Sequence, residues 1–166
     1  IVMGSSPNNC FYNMDRRVNK RKMDFQFVYW GVMDKTRDLD IVIKGFAKAK
    51  ELNSKFNANF FLFGDGNDLA RLEALVQELK LQDIYFKGCL VQDDLCKYLI
   101  EASVAVIPIP QKDIFQYSSP LKLAEAVTLC LPIIASDIEP NQIVRDNNLG
   151  ILCGYIMDDN NRHKKM

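Results

Sequence analysis

The sequence predicts an α/β fold, a doubly wound, Rossmann-like parallel sheet flanked by helices. Six short apolar runs, several rich in β-branched or aromatic residues, recur along the chain, and Gly, Pro or Ser closes five of them. Between them lie segments whose apolar residues repeat at three- and four-residue steps, the mark of helices with one buried stripe. Strand–helix alternation of this kind is satisfied by a parallel sheet covered with helices on both faces. At 166 residues the chain has the size of one compact domain that can bury a core without staples.

Taken in order, residues 1–3 offer one short extra strand, and the main strands are predicted over 25–31, 59–64, 83–88, 104–108, 132–136 and 150–153. Helices are predicted over 39–52, 67–80, 93–102, 120–129 and 139–145. In the first of these, Leu39, Val42, Ile43, Phe46 and Ala49 share one side. In the second, Leu69, Leu72, Leu75, Val76 and Leu79 face inward, while Arg71, Glu73, Gln77 and Glu78 face away. The polar stretch 8–24 carries Arg16, Arg17, Lys20, Arg21 and Lys22. A solvated loop is its plain interpretation, and contact with anionic lipid head groups is the sharper one. Residues 158–166 resemble a frayed tail or linker stump. The expected organisation is therefore a short strand with a basic connecting segment (1–24), a binding domain (25–157) and a polar tail (158–166). Ile1 in place of a start Met points to a longer parent.

Composition narrows the function. Lys plus Arg and Asp plus Glu number 21 each, so no charge excess calls for nucleic acid or an anionic surface as the main partner. The longest apolar runs, such as 104–110, are too short to cross a bilayer. The five cysteines are widely spaced with no Cys-x-x-Cys pair, and His163 is the only histidine. That pattern argues against a zinc site and a disulfide framework, and for reduced, mostly buried thiols in a cytoplasmic protein.

Ligands of a doubly wound sheet sit beyond the carboxyl ends of its strands, so the exit loops matter most. After residue 31 comes Val32-Met33-Asp34-Lys35-Thr36-Arg37-Asp38, whose basic residues would face a phosphate, or which is a solvated turn capped by Asp38. The turn Gly64-Asp65-Gly66 lacks the spacing of a dinucleotide fingerprint and is taken as structural. At Gly88-Cys89-Leu90 a glycine allows a flat ring to approach the backbone. The strongest loop is Ser118-Ser119-Pro120-Leu121-Lys122, where serine and proline start a helix whose free amides favour an anion. Glu125 follows among apolar neighbours and needs a partner there, either sugar hydroxyls or a salt bridge such as one to Lys122.

In their order these loops resemble the C-terminal domain of retaining GT-B glycosyltransferases, specifically family 4. The landmarks are Tyr29-Trp30-Gly31, Arg37 to Asp40, Leu62 to Gly66, Tyr85 to Gly88, Val106-Ile107-Pro108, Ser118 to Glu125 and Leu131 to Asp137. The resemblance implies a nucleoside diphosphate sugar as donor substrate, no tightly bound cofactor or metal, and a preceding acceptor-binding domain as partner. It places Arg37 at one member of the family's diphosphate-gripping pair and Val32 at the other, with Lys35 as a substitute. Glu125 matches the carboxylate that binds the donor ribose, and Tyr117 stands where a sugar-contacting glutamate is usual. The implied setting is cell-surface polysaccharide synthesis in the cytoplasm, at the inner face of the membrane. No catalytic residue is assigned, and an isolated domain would bind donor without transferring sugar. A GT-B nucleotide-sugar epimerase is one alternative. A flavodoxin-like binding module is another, although the loop beginning Gly31-Val32-Met33 lacks the acidic cluster of a signalling receiver.

Overall fold

The computed structural model describes residues 7, 9–12, 25–53, 55–111, 115 and 121–154. Six parallel strands form one sheet: β1 (Phe25–Trp30), β2 (Ala58–Phe63), β3 (Ile84–Phe86), β4 (Val104–Ile107), β5 (Ile133–Ser136) and β6 (Gly150–Cys153), in the order β3-β2-β1-β4-β5-β6. The helices are α1 (Asn9–Tyr12), α2 (Leu39–Leu52), α3 (Leu69–Glu78), α4 (Gln92–Glu101), α5 (Leu121–Thr128) and α6 (Gln142–Asp146). The predicted doubly wound sheet is thus present, with its order reversing between β1 and β4.

Period-two alternation sorts the strand side chains into two cores. Val28 and Trp30 of β1 and Phe63 of β2 join Leu99, Ala126 and Val144 from α4, α5 and α6 on one face. Tyr29, Phe60 and Leu62 join Leu39, Ile43 and Phe46 of α2 and Leu72 and Val76 of α3 on the other. Fully buried leucines such as Leu62, Leu72 and Leu99 each contribute about 2 kcal/mol by leaving water. Between the exits of β4 and β5, Ser136 Oγ accepts from the Ile109 amide and Asn141 Nδ2 donates to the Ser136 carbonyl, which fixes both loops.

Several predicted boundaries move. The helix expected over 139–145 is a 3-10 turn, Glu139–Asn141, with Pro140 in its first turn, followed by α6. The third strand keeps only three residues, although the Lys87 amide still donates to the Leu62 carbonyl and the Gly88 carbonyl accepts from Gly64. The helix expected from residue 67 begins at Leu69, and the buried Asp68 carboxylate accepts from Arg71 Nε and Nη2 at 2.6 Å each instead of capping it. Within the stretch expected to be loop, residues 9–12 form one helical turn that buries Phe11 in the first core. One apolar side chain in a polar context left no periodicity to read. The possible strand at 1–3, the basic cluster at 16–22 and the tail at 158–166 lie outside the described residues.

The cysteines also differ from expectation. All five are free thiols, but Cys89, Cys130 and Cys153 are exposed, because they fall in a turn, at a helix end and on the last edge strand.

Three glycines extend the sheet's pattern past its ladder. Gly31 donates to the Phe63 carbonyl and Gly64 to that of Gly88. A Cβ at Gly64 would overlap the Gly31 carbonyl oxygen, and φ is +128° there. Gly66 is similarly pressed on the Met33 carbonyl, so the Gly-Asp-Gly turn is indeed a packing device. Gly64→Ala should lower stability by more than about 2 kcal/mol in urea titration. A loss of a few tenths would show that these loops give way freely.

Candidate functional site

The reversal of strand order between β1 and β4 opens a crevice at the carboxyl end of the sheet. The chain leaving β1 supplies one wall, through Gly31 and the 3-10 turn Lys35–Arg37. The start of α5 supplies the other. In the first wall the Asp34 carboxylate accepts from the Thr36 amide at 2.8 Å and holds the turn. Asp38, the expected cap, sits at φ 51° and makes no side-chain cap bond to α2.

Two cations converge over the end of β1. A Cβ at Gly31 would lie 2.5 Å from both Cε and Nζ of Lys122, so the lysine tip occupies the space that glycine leaves. Its ammonium stands 5.7 Å from the centre of the Tyr29 ring, a cation–π contact. Arg37 reaches in from the turn and lays its guanidinium 4.8 Å over the Phe115 ring. Its Nε is buried without a hydrogen-bond partner. Burial lowers the Lys122 pKa below 10.5, the charge of Arg37 lowers it further, and Glu125 pulls the other way. Burial likewise raises Tyr29 to about 12, so its hydroxyl keeps the proton that it donates to the Val32 carbonyl at 2.7 Å.

Glu125 is 5 % exposed on α5 and has found a neutral partner. Trp30 Nε1 donates to its Oε2 at 2.7 Å across the first core. Among the described residues Glu125 makes no ion pair with Lys122, which extends over Gly31 instead. The indole bond fixes the carboxylate's orientation from behind.

The structure brings Arg37, Lys122 and Glu125 to one crevice and leaves other candidates at its rim. Lys35 is exposed on the 3-10 turn and Leu121 at the start of α5. Val32, expected at the other position of the diphosphate-gripping pair, is 52 % exposed and carries no charge. Gly88 has open space around its Cα, Cys89 is exposed and Leu90 packs partly on the first core. Tyr117, Ser118, Ser119 and Pro120 lie outside the described residues. Sequence reasoning missed Trp30, Tyr29 and Phe115 as site residues. A lone Trp closing a strand was the available signal, because a buried indole N–H needs an acceptor.

A separate apolar groove of about 430 Å³ runs between α2 and the sheet, lined by Ile41, Val42, Phe46, Val106, Ile134 and Cys153 among others. None of Arg37, Lys122 and Glu125 lines it, and it offers few polar groups to orient a ligand. Among the described residues no cluster of three His, Cys, Asp or Glu could hold a metal ion. No helix among them is long and apolar enough to cross a membrane.

The indole–carboxylate bond gives a direct test. Trp30→Phe strands the buried carboxylate and should cost about 1–3 kcal/mol beyond the packing lost, measured by denaturant unfolding. The cost should shrink when Glu125→Ala is already in place. Equal costs in both backgrounds would mean that the bond adds nothing to stability.

Comparison with known proteins agrees with this architecture. A single-site mutant of TarM from S. aureus, crystallised with fondaparinux, α-GlcNAc-glycerol and UDP, superposes with a TM-score of 0.64 at 16% identity over 94% of the chain. WaaG, a glycosyltransferase involved in lipopolysaccharide biosynthesis, gives 0.64 at 19% identity over 86%. Sucrose-phosphate synthase from Thermosynechococcus elongatus gives 0.66 at 23% identity over 91%. At these identities the likeness is one of fold. The chain spans only 28%, 37% and 38% of those three proteins. No curated protein matches the sequence. A family model described as glycosyl transferases group 1 matches residues 24–161, most of the chain. The chain therefore belongs to the glycosyl transferases group 1 family.

Proposed function

We propose that the chain is the donor-binding, C-terminal domain of a retaining GT-B glycosyltransferase of family 4, with the binding unit over 25–157 and the polar segments 1–24 and 158–166 flanking it. The observation that carries this is the pair of cations, Arg37 and Lys122, gathered at the strand-order reversal with a buried guanidinium nitrogen left unbonded. A diphosphate is the ligand that answers such a pair, because two phosphate groups can accept from both cations at once. Lys35 adds charge at the rim, and the segment from Ser118 to Leu121 would offer amides at the start of α5.

Around that anchor the remaining groups fall into donor roles. Glu125, oriented by Trp30, would accept hydrogen bonds from the ribose hydroxyls. Gly88, Cys89 and Leu90 leave open backbone where a flat base could lie. Tyr117 is assigned to the side of the transferred sugar. During transfer the anomeric C–O bond breaks and negative charge collects on the departing diphosphate. Arg37 and Lys122 would stabilise that charge more than they stabilise the intact donor, which is how electrostatics accelerates such a step. The acceptor and its positioning groups belong to a preceding domain.

The fold likeness to WaaG, which is involved in lipopolysaccharide biosynthesis, supports a role in cell-surface polysaccharide synthesis. The UDP in the TarM crystal makes uridine diphosphate the first ligand to try. Calorimetry should detect UDP binding to the chain. Arg37→Ala and Lys122→Ala should each weaken it about tenfold to a hundredfold, the effect of one charge-assisted hydrogen bond. Glu125→Ala should also weaken binding, while nucleoside-free pyrophosphate should be indifferent to that change. No binding of UDP, GDP or their sugars at millimolar concentration would overturn the proposal.

A proton balance tests the cation pair independently. The free site holds the Lys122 pKa below 10.5, and a bound diphosphate raises it again. In the alkaline window just under 10.5, binding should therefore take up protons, seen as a dependence of the heat on buffer ionisation. The same sign applies to folding: the buried ammonium's penalty is full below its lowered pKa and fades as pH rises toward 10.5. Lys122→Met should abolish the proton uptake.

A further inference from the structure

Cys10 and Cys96 meet sulfur to sulfur where α1 packs on α4. They are 86 residues apart in the chain, yet the Cys96 thiol donates to Cys10 Sγ at 3.0 Å. Cys96 is fully buried, whereas Cys10 is partly exposed, so an oxidant reaches Cys10 first and finds the second sulfur directly behind it. We propose that Cys10 and Cys96 form an oxidation site, a dithiol that hydroperoxides convert to an intramolecular disulfide clamping α1 to α4.

The chemistry balances with peroxide as the oxidant. The Cys10 thiolate attacks one peroxide oxygen, the O–O bond breaks, and the released hydroxide recovers the proton that Cys10 lost. The Cys96 sulfur then displaces the hydroxyl from the sulfenic sulfur of Cys10. An S–S bond forms, and the Cys96 proton leaves with that hydroxyl as water. Two thiols are oxidised, and one hydrogen peroxide is reduced to two waters.

The surroundings set the order of these steps. Burial, then the bond to Cys10 and the charges of Asp93 and Glu125, pushes the Cys96 thiol up to about 12. It therefore stays protonated and waits as the resolving sulfur. The turn α1 also packs on α5, the helix that carries Lys122 and Glu125, so the clamp would brace one wall of the crevice. It needs no catalytic activity and stands independently of the donor-binding proposal.

The test is peroxide treatment of the folded full chain, followed by denaturing alkylation and peptide mass mapping. We expect a Cys10–Cys96 linked peptide as the main disulfide, at least tenfold above any other pairing, and reversal by dithiothreitol. The melting temperature of the oxidised chain should rise by several degrees, because closing so long a loop restricts the unfolded chain. Cys10→Ser, at the partly exposed position, should abolish both effects, and Cys96→Ala should leave Cys10 as a sulfenic acid trapped by dimedone. Oxidation confined to Cys89, Cys130 and Cys153, or sulfinic acid at Cys10 without the linked peptide, would overturn the proposal.

Discussion

Lys122 can lie over the end of β1 only because residue 31 has no side chain. That vacancy is itself held in place by the neighbouring loops. Gly31 is tied to β2 through the Phe63 carbonyl, and its own carbonyl presses on Gly64, which is tied in turn to Gly88. A methyl group at residue 31 would displace the ammonium, and one at 64 would push the loop that bears residue 31. The basic pair, the buried carboxylate and the course of three loops thus depend on a run of close backbone contacts that tolerates no Cβ.

Trp30 adds the second tie. Being adjacent in a strand, Tyr29 and Trp30 point to opposite faces, and each meets α5 differently. Tyr29 offers its ring to Lys122 from one side, while Trp30 crosses the other core to Glu125, one helical turn further on. One dipeptide therefore meets both charged residues of the helix. The arrangement also sets two like charges near each other, close enough for Arg37 to lower the Lys122 pKa. Such imbalance is the common signature of a site shaped for a ligand.

Much of this was legible in the sequence, and what escaped has physical reasons. All six main strands and the span of α2 follow from apolar runs and their spacing, even β6, which ends as a largely exposed edge strand. The alternation could not show that the chain would enter α6 through a 3-10 turn, nor that Phe11 alone would pull a polar stretch into a helical turn. Arg37, Lys122 and Glu125 were found through loop position and family resemblance. Their partners were not, since Trp30–Glu125 spans 95 residues and Arg37 meets Phe115 across the crevice. Contacts at such separations are set by the topology of the whole sheet, and local pattern carries no trace of them.

The sheet is unevenly joined. β1 is paired with β2 at six register positions but with β4 at only two, Phe27–Val104 and Val28–Ala105. A seam with so few rungs resists shear less than its neighbour, and it runs directly beneath the crevice. Arg37 is carried by the half that includes β1 to β3, while Lys122 and Glu125 ride on the half that includes β4 to β6. The first core spans that seam, with Trp30 and Phe63 on one side and Ala126 and Val144 on the other, and the Trp30–Glu125 bond bridges it, so side-chain packing more than the ladder sets the gap between the cations.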